Sequence, residues 1–420
     1  MKVLFILENL ADRCGANVNI AIVIAKQLAK SFEVHALVRY DEVKKISCEK
    51  KETFGVVHTF YADQPGKLAK FTSNDWNKLS GLKKLMRFCK SPTTLMSMID
   101  AKYFDFSITK KKCKKAIEQV CSEEKYDVVI GVSAPYYIMQ AVSESVVDSR
   151  KMAIQLDPFT NNYTLPAFLK YRRRRIEAKV ISRINTLFAA DFVYDEIKNM
   201  NNGKGNAIPL PLPGIIVDRV KAQVQSIICE DASEIIHFVF VGQFYETIRN
   251  PKYLLDMFLQ LPKNYVLHIV GGGCEQVVMQ YKEQLQDRLI LHGWVSKDEA
   301  DKCISKYDVL VNVNNTITNQ MPSKLFEYIG TGKPIVNICK TDHCLSLPYI
   351  ERYENGTSIV ESDETILANV EKTIGFVETH RGSVLDTEDI LNSFNSNTDV
   401  YVAGLIRDKI IEEERNKYDK

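Results

Sequence analysis

The sequence predicts an α/β chain made of two doubly wound, Rossmann-like domains and a C-terminal helix. Three observations support this. With 420 residues the chain exceeds one ordinary hydrophobic core. Its 45% apolar and 26% charged content is that of a soluble globular protein. Short β-branched runs bounded by turn residues alternate with helical stretches in both halves, which is the pattern of βαβ units on a parallel sheet.

In chain order, "MKVLFILENLADR" has one lysine, a short apolar run, then an acidic residue and an arginine. It is too short to span a membrane and lacks a small-residue cleavage site, so it reads as a first buried strand. Further strands are expected at 33–40, 54–62, 126–133, 151–157 and near 191–195, with helices at 16–31, 136–147 and 166–185. Residues 65–122 read as a lysine-rich, partly helical insertion. "NAIPLPLPG" (206–214) holds three prolines and a glycine, so it continues neither regular element and suits a hinge. Beyond it, "IIHFVFVG" (235–242), "YVLHIVGG" (265–272), "LILHGWV" (289–295), "DVLVNVN" (308–314) and "KPIVNIC" (333–339) read as strands. Helices are expected at 251–261, 274–286, 296–307 and 322–330. Ser296 and Glu299 form a capping box at the start of the third. A charged helix at roughly 399–417 closes the chain. The expected domains are 1–212, 213–390 and the helical tail 391–420.

The formal net charge of +2 hides an asymmetry, because 34 of the 55 Lys and Arg lie in the first 210 residues. They cluster in "KKLMRFCK" (83–90), "KKKCKK" (110–115) and "YRRRRIEAK" (171–179). One cluster is an ordinary solvated face; three in one half suggest an anionic partner. Headgroups of an anionic membrane attract such patches by about 1 kcal/mol per nearby Lys or Arg. Nucleic acid is excluded as the expected partner, since no recognition motif accompanies the charge. No segment offers about eighteen uninterrupted apolar residues for a membrane span. Ten scattered cysteines without a CxxC pair read as reduced thiols. "CKTDHC" (339–344) fits no standard zinc spacing, so neither metal nor cofactor is expected. The expected location is cytoplasmic, with peripheral contact at the inner face of the membrane.

The densest polar punctuation lies in "MPSKLFEYIGTGKPIV" (321–336). Pro322 suits the first helical position, where its missing N–H costs nothing. The amides of Ser323 and Lys324 are then first-turn donors for an anion. Leu325 and Ile329 are four apart and face the sheet, leaving Ser323, Lys324 and Glu327 on another stripe. A hydroxyl and a cation for phosphate thus stand one turn from a carboxylate that accepts from a vicinal diol, as in a nucleotide ribose diphosphate. The same residues also describe a surface Lys–Glu pair worth a few tenths of a kcal/mol. Spacing alone leaves both readings open.

Strand-end loops add to the first reading. Gly242 ends a strand before a loop containing Arg249, which can reach a diphosphate through paired contacts. "IVGGG" (269–273) and "LHGWVS" (291–296) are glycine turns that admit a base or phosphate to the backbone. Taken in order, "FVGQFYETIRNP", "LHIVGGG", "LHGWVS", "YDVLVNVN" and "PSKLFEYIGTGKPIV" resemble the carboxyl-terminal domain of GT-B glycosyltransferases. The resemblance is to the retaining group-4-like enzymes that use sugar nucleotides. It covers about 235–340 strongly and the first half more loosely, through "KVLFILENLADRCGAN".

That resemblance implies an interdomain cleft holding a nucleotide-diphosphate sugar. Glu327 would bind the ribose hydroxyls. Arg249, Lys324 and the amides around Ser323 would hold the departing diphosphate, and backbone around Gly293 and Val295 would meet the base. Gly15, with Ala16, would approach from the first domain. The implied reaction moves the sugar to a glycan or polyprenyl-linked acceptor, with retention. Two departures follow. Asn319 stands where the family often places a first glutamate eight residues before Glu327, and Ser133 in "GVSAPYY" stands where many relatives have a histidine. His35 and His58 lie in predicted strands and read as packed. Asp157 reads either as a strand-end group facing the cleft or as a turn former before proline. Glu177, among arginines, reads as their ion-pair partner.

Two other classes compete. A catalytically silent GT-B subunit supporting a partner enzyme is motivated by Asn319 and Ser133. A sugar-nucleotide epimerase would need more cleft acids and histidines than the sequence offers. An NAD dehydrogenase lacks its GxGxxG turn after the first strand.

Overall fold

The structure is a computed structural model that describes residues 1–11, 14–40, 46–61, 106–161, 167–200, 206–223, 234–317 and 319–418. The chain divides into two compact units, Met1–Leu210 with Ile406–Lys420, and Pro211–Leu405.

The first unit is a seven-stranded parallel sheet in the order β3-β2-β1-β4-β5-β6-β7. Its strands are β1 (Lys2–Leu7), β2 (Glu33–Tyr40), β3 (Val57–Tyr61), β4 (Val128–Val132), β5 (Arg150–Gln155), β6 (Thr186–Ala190) and β7 (Ala207–Leu210). Val128–Val132 is buried throughout, as a strand covered on both faces must be. The crossover helices include α1 (Ala16–Leu28), α3 (Ser107–Glu123), α4 (Tyr137–Glu144), α5 (Ala167–Ile181) and α6 (Asp191–Met200); α2 (Cys48–Glu52) is a short turn of helix before β3.

Three expectations are corrected here. The strand expected near 191–195 lies five residues earlier: Thr186–Ala190 pairs with β5, and Asp191 opens α6 instead. The proline-rich stretch is not wholly irregular, because Ala207–Leu210 forms β7. Pro209 is tolerated because β7 is an edge strand, bonded on one side only. Of the 65–122 insertion, residues 65–105 lie outside the described residues, as does the basic cluster at 83–90. The remainder is α3, which buries Cys113, Ile117 and Val120 and shows the lysines of 110–115 on its other faces.

The second unit is a six-stranded parallel sheet in the order β10-β9-β8-β11-β12-β13. Its strands are β8 (Ile236–Gln243), β9 (Tyr265–Gly272), β10 (Leu289–Gly293), β11 (Val309–Val313), β12 (Ile335–Cys339) and β13 (Gly356–Val360). The last of these carries too few apolar residues in a row to stand out in the sequence. The helices are α7 (Val217–Gln223), α8 (Lys252–Gln260), α9 (Glu275–Leu285), α10 (Lys297–Lys306), α11 (Lys324–Ile329), α12 (Leu347–Glu351), α13 (Ile366–His380) and α14 (Thr387–Ser393). The last helix, α15 (Asp399–Tyr418), starts in this unit and belongs to the first from Ile406 onward. The Ser296–Glu299 capping box forms as expected. Phe238, Phe240, Leu255, Phe258, Leu267 and Val311 lead the core of this unit.

Candidate functional site

Both sheets reverse direction between their first and fourth strands. In an open α/β sheet the crevice beyond the carboxyl ends at that switch is where ligands bind. In the second unit the switch lies between β8 and β11, and several of the predicted residues stand around it.

Gly242 lies near the end of β8, and the following loop turns back through paired backbone bonds between Tyr245 and Arg249. The loop is stitched to the one after β11: Thr316 N–H donates to Ile248 O at 2.7 Å, and the Thr316 hydroxyl donates to Thr247 O at 2.9 Å. Arg249 bridges the same two loops, donating from Nε to Asn315 Oδ1 at 3.1 Å. Burial lowers its pKa from the usual value. Among the described residues no carboxylate pairs with it. A half-buried guanidinium with only a neutral partner is a standing attraction for an anion.

The helix tip differs from the sequence expectation. α11 begins at Lys324, not Pro322; Ser323 takes the N-cap position, and Leu325 N–H donates to Pro322 O at 3.0 Å in a tight turn. Six residues align few peptide dipoles, so side-chain charge, not the macrodipole, sets the field here. Lys324 Nζ lies 2.6 Å from Glu327 Oε2, and Lys297 at the start of α10 pairs with the same oxygen. Lys297 also binds Asp301 at 2.7 Å, which binds Arg219 of α7 at 2.8 Å. Three cations thus face two carboxylates. Burial pushes the Glu327 carboxyl upward, but Lys324 and Lys297 outweigh it and hold the group below its usual value. Burial lowers the Lys324 pKa against the pull of Glu327. Both lysines use Oε2, and Oε1 of Glu327 takes no bond from a described residue. Glu327 is therefore part of a three-residue cluster that sequence spacing did not disclose, since Lys297 is thirty residues away. Asn319 is half-buried on the loop between β11 and α11.

Glycines define the rest of this edge. An added Cβ at Gly271 (φ 126°) would overlap the Gly242 carbonyl, and one at Gly273 (φ 99°) would overlap the Phe244 carbonyl. These two are needed to bring the β8 and β9 ends together. Gly293 (φ 66°) instead borders open space, and a Cβ placed there would meet nothing within 4 Å. Val295 is half-buried beside it, and the exposed Trp294 indole lies over Gly272. A buried Tyr328 hydroxyl accepts from Val241 N–H at 3.0 Å, holding α11 against the end of β8. Beneath the loops, Asn337 Oδ1 accepts from both Asn312 and Asn314 at 2.7 Å. Neither Tyr328 nor this amide cluster had a local sequence signal.

In the first unit, Gly15 precedes α1 and also borders open space. Asp157, just after β5, accepts from Asn17 Nδ2 of α1 at 2.7 Å. Burial raises its pKa, opposed by that hydrogen bond. Its role is thus more than a turn former: it ties the β5 loop to α1. Ser133 Oγ is already occupied, accepting from Leu156 N–H at 3.1 Å. The reading of Glu177 as partner to the arginines is overturned. The residue is 1% exposed and accepts from Gln155 Nε2 at 2.6 Å and from the Thr160 hydroxyl. Helical periodicity turns position 177 inward while 172–175 wrap the outer faces of α5.

Residues 236–373 match the family model described as glycosyl transferases group 1. That match lies within the second unit and spans 138 of the chain's 420 residues. No curated protein sequence matches the chain. Among solved structures, HepE from Anabaena in complex with UDP and glucose is 12% identical with a TM-score of 0.65, covering 98% of this chain and 100% of that one. WaaG, a glycosyltransferase involved in lipopolysaccharide biosynthesis, is 14% identical with a TM-score of 0.58, covering 97% and 99%. A putative UDP-N-acetylglucosamine 2-epimerase from Listeria monocytogenes is 12% identical with a TM-score of 0.58, covering 99% and 97%. The chain as a whole therefore has the GT-B fold, and its residues 236–373 are similar to group 1 glycosyl transferases. The fold alone is shared with an epimerase-type structure, so the chemistry must be argued from the site.

Proposed function

We propose that this protein is a glycosyltransferase that moves a sugar from a nucleotide-diphosphate sugar to a glycan or lipid-linked glycan acceptor, with retention. The observation that supports it most is the set of cations around Tyr328: Arg249, without an acidic partner among the described residues, and the Lys324–Lys297–Glu327 cluster, with Arg249 and Glu327 both acting on the buried Tyr328 hydroxyl. Cleaving an anomeric C–O bond builds positive charge on the sugar and negative charge on the diphosphate. Preorganised cations stabilise the second of these, commonly the largest electrostatic contribution available. In this reading Arg249 and Lys324 hold the diphosphate, with Ser323 beside them. Oε1 of Glu327 accepts a ribose hydroxyl, and the open space at Gly293 and Val295 admits the base. Asn319 orients a sugar hydroxyl, Gly242 lets the phosphates approach the Arg249 loop, and Gly15 and Asp157 serve the acceptor side.

HepE was solved with UDP and glucose, which favours a uridine nucleotide as the first donor to try. The test is a thermal-shift screen of UDP-, GDP-, ADP-, CMP- and dTDP-sugars, followed by transfer assays on the donor that stabilises. Glu327→Ala should weaken donor binding. Arg249→Ala should mainly lower turnover, by about 2–4 kcal/mol of transition-state stabilisation. Transfer at the parent rate by both variants would overturn the assignment.

A second reading, a silent GT-B subunit that supports a partner enzyme, is favoured by Asn319 and by the engaged Ser133 hydroxyl. Donor stabilisation without hydrolysis or transfer across the whole panel would select it.

A further inference from the structure

At the opposite, amino-terminal edge of the first sheet lies a cluster that the transfer reaction does not use. His35 stands near the start of β2, His58 near the start of β3, and Glu124 and Tyr126 on the turn between α3 and β4. Their polar atoms converge. Tyr126 Oη lies 2.7 Å from Glu124 Oε2, 2.8 Å from His35 Nδ1 and 3.0 Å from His58 Nε2. His35 Nδ1 and Glu124 Oε2 are 3.4 Å apart. Ligand atoms of the two histidines and the glutamate all fall within 4.8 Å of one another. Behind the His35 ring, Nε2 faces Glu33 Oε1 at 3.1 Å.

We propose that His35, His58, Glu124 and Tyr126 form a binding site for a divalent transition metal of the Zn2+ class, with Glu33 orienting His35 from behind.

Four features support this. First, donors at about 2.0–2.1 Å from a tetrahedral ion lie about 3.3 Å from each other; Tyr126 Oη, at 2.7–3.0 Å from its neighbours, needs small outward shifts, and the histidine and glutamate atoms already lie within 4.8 Å of one another. Second, a ligating histidine characteristically gives its other N–H to a carboxylate, which sets the tautomer. Here Glu33 claims the Nε2 proton and leaves Nδ1 with its lone pair pointing inward. Third, proton counting leaves the cluster short of a cation. The single Tyr126 proton is wanted by both Glu124 Oε2 and His35 Nδ1, so a lone pair faces a lone pair unless a proton or metal intervenes. Fourth, the charge suits a dication. Lys2 pairs with Glu33 and with the other Glu124 oxygen, leaving Oε2 turned to Tyr126 and His35, and Glu123 adds a further negative field at His58. His35 and Tyr126 are 2% exposed, while His58 and Glu124 are only half-buried and give an ion its way in.

A metal here would staple the starts of β2, β3 and β4 and act on stability, not turnover. The test uses the full-length protein after chelator treatment. Zn2+ is titrated against a chromophoric chelator, with Co2+ absorption reporting tetrahedral geometry. The expected result is one saturable equivalent, a visible Co2+ band and a melting-temperature rise of a few degrees at excess metal. His58→Ala and Glu124→Gln should each weaken binding at least 10-fold. Glu33→Gln, which removes no ligand, should weaken it about 10–100-fold. Absence of saturable binding by folded parent protein overturns the proposal. So does one-equivalent binding unchanged by all three substitutions, which would place the metal elsewhere.

Discussion

The Glu177 carboxyl sits inside the first unit with Gln155 and Thr160 donating to it, and burial lifts its pKa to about 7 despite those donors. In the unfolded chain the group titrates near its ordinary value of 4.5. Between these limits the folded protein binds more protons than the unfolded one, so stability falls as pH rises. Glu177 contributes fully below about 4.5 and its contribution is lost through about 7. The span corresponds to roughly 3 kcal/mol at most. The expected outcome is a parent melting temperature that drops from pH 5 to pH 8 by more than that of Glu177→Gln. Parallel curves for the two proteins would refute it. Position 177 was misread from sequence because neighbouring arginines dominate a linear view, whereas a helix sends adjacent residues to different faces.

Among elements, the β8 and β9 ends show where glycine is required and where it is only permitted. Gly271 and Gly273 combine positive φ with backbone contact, so alanine at either must push the two strand ends apart. A loss of about 2–4 kcal/mol is expected for Gly271→Ala, read by chemical denaturation. Gly15 has neither constraint, so Gly15→Ala should cost at most about 1 kcal/mol of stability. If a donor or acceptor approaches the backbone there, that variant loses turnover while keeping its melting temperature. All these glycines look alike in the sequence, because φ and the neighbouring carbonyl are properties of the packed sheet. The helix at 324–329 teaches the same lesson from the other side. Proline and serine correctly announced a helix start, yet tertiary contacts of Tyr328 and the Pro322 turn set the first helical residue two positions later.

For the molecule as a whole, charge is divided between the two units. The described part of the basic half places its lysines and arginines on α3 and α5. Some of these are balanced, as Lys110 is by Glu144 at 3.0 Å. Near the start of α5, Phe168 and Tyr171 are 66% and 67% exposed next to Lys170 and the arginine run. Among the described residues no helix is long and apolar enough to cross a membrane. We expect binding to vesicles rich in anionic lipid that weakens as salt is raised from about 50 to about 500 mM, since screening shortens the reach of surface charge to a few ångströms. Phe168→Ala with Tyr171→Ala should reduce it further at fixed charge. Indifference of sedimentation to anionic lipid content would rule this partner out.

The alternation of strands and helices, the capping box and the ordered strand-end glycines are local patterns, and each depends on a few consecutive residues. They determined the fold class and pointed to Arg249, Lys324 and Glu327 without coordinates. What needed the tertiary structure was every relation between distant residues: Lys297 joining Glu327, Arg249 meeting Asn315 across the sheet switch, Glu177 turning inward, and β7 surviving its proline because it is an edge. The cluster of His35, His58, Glu124 and Tyr126 belongs with these. Its members are spread over about ninety residues of chain, and only the sheet order β3-β2-β1-β4 brings their polar atoms together at one edge.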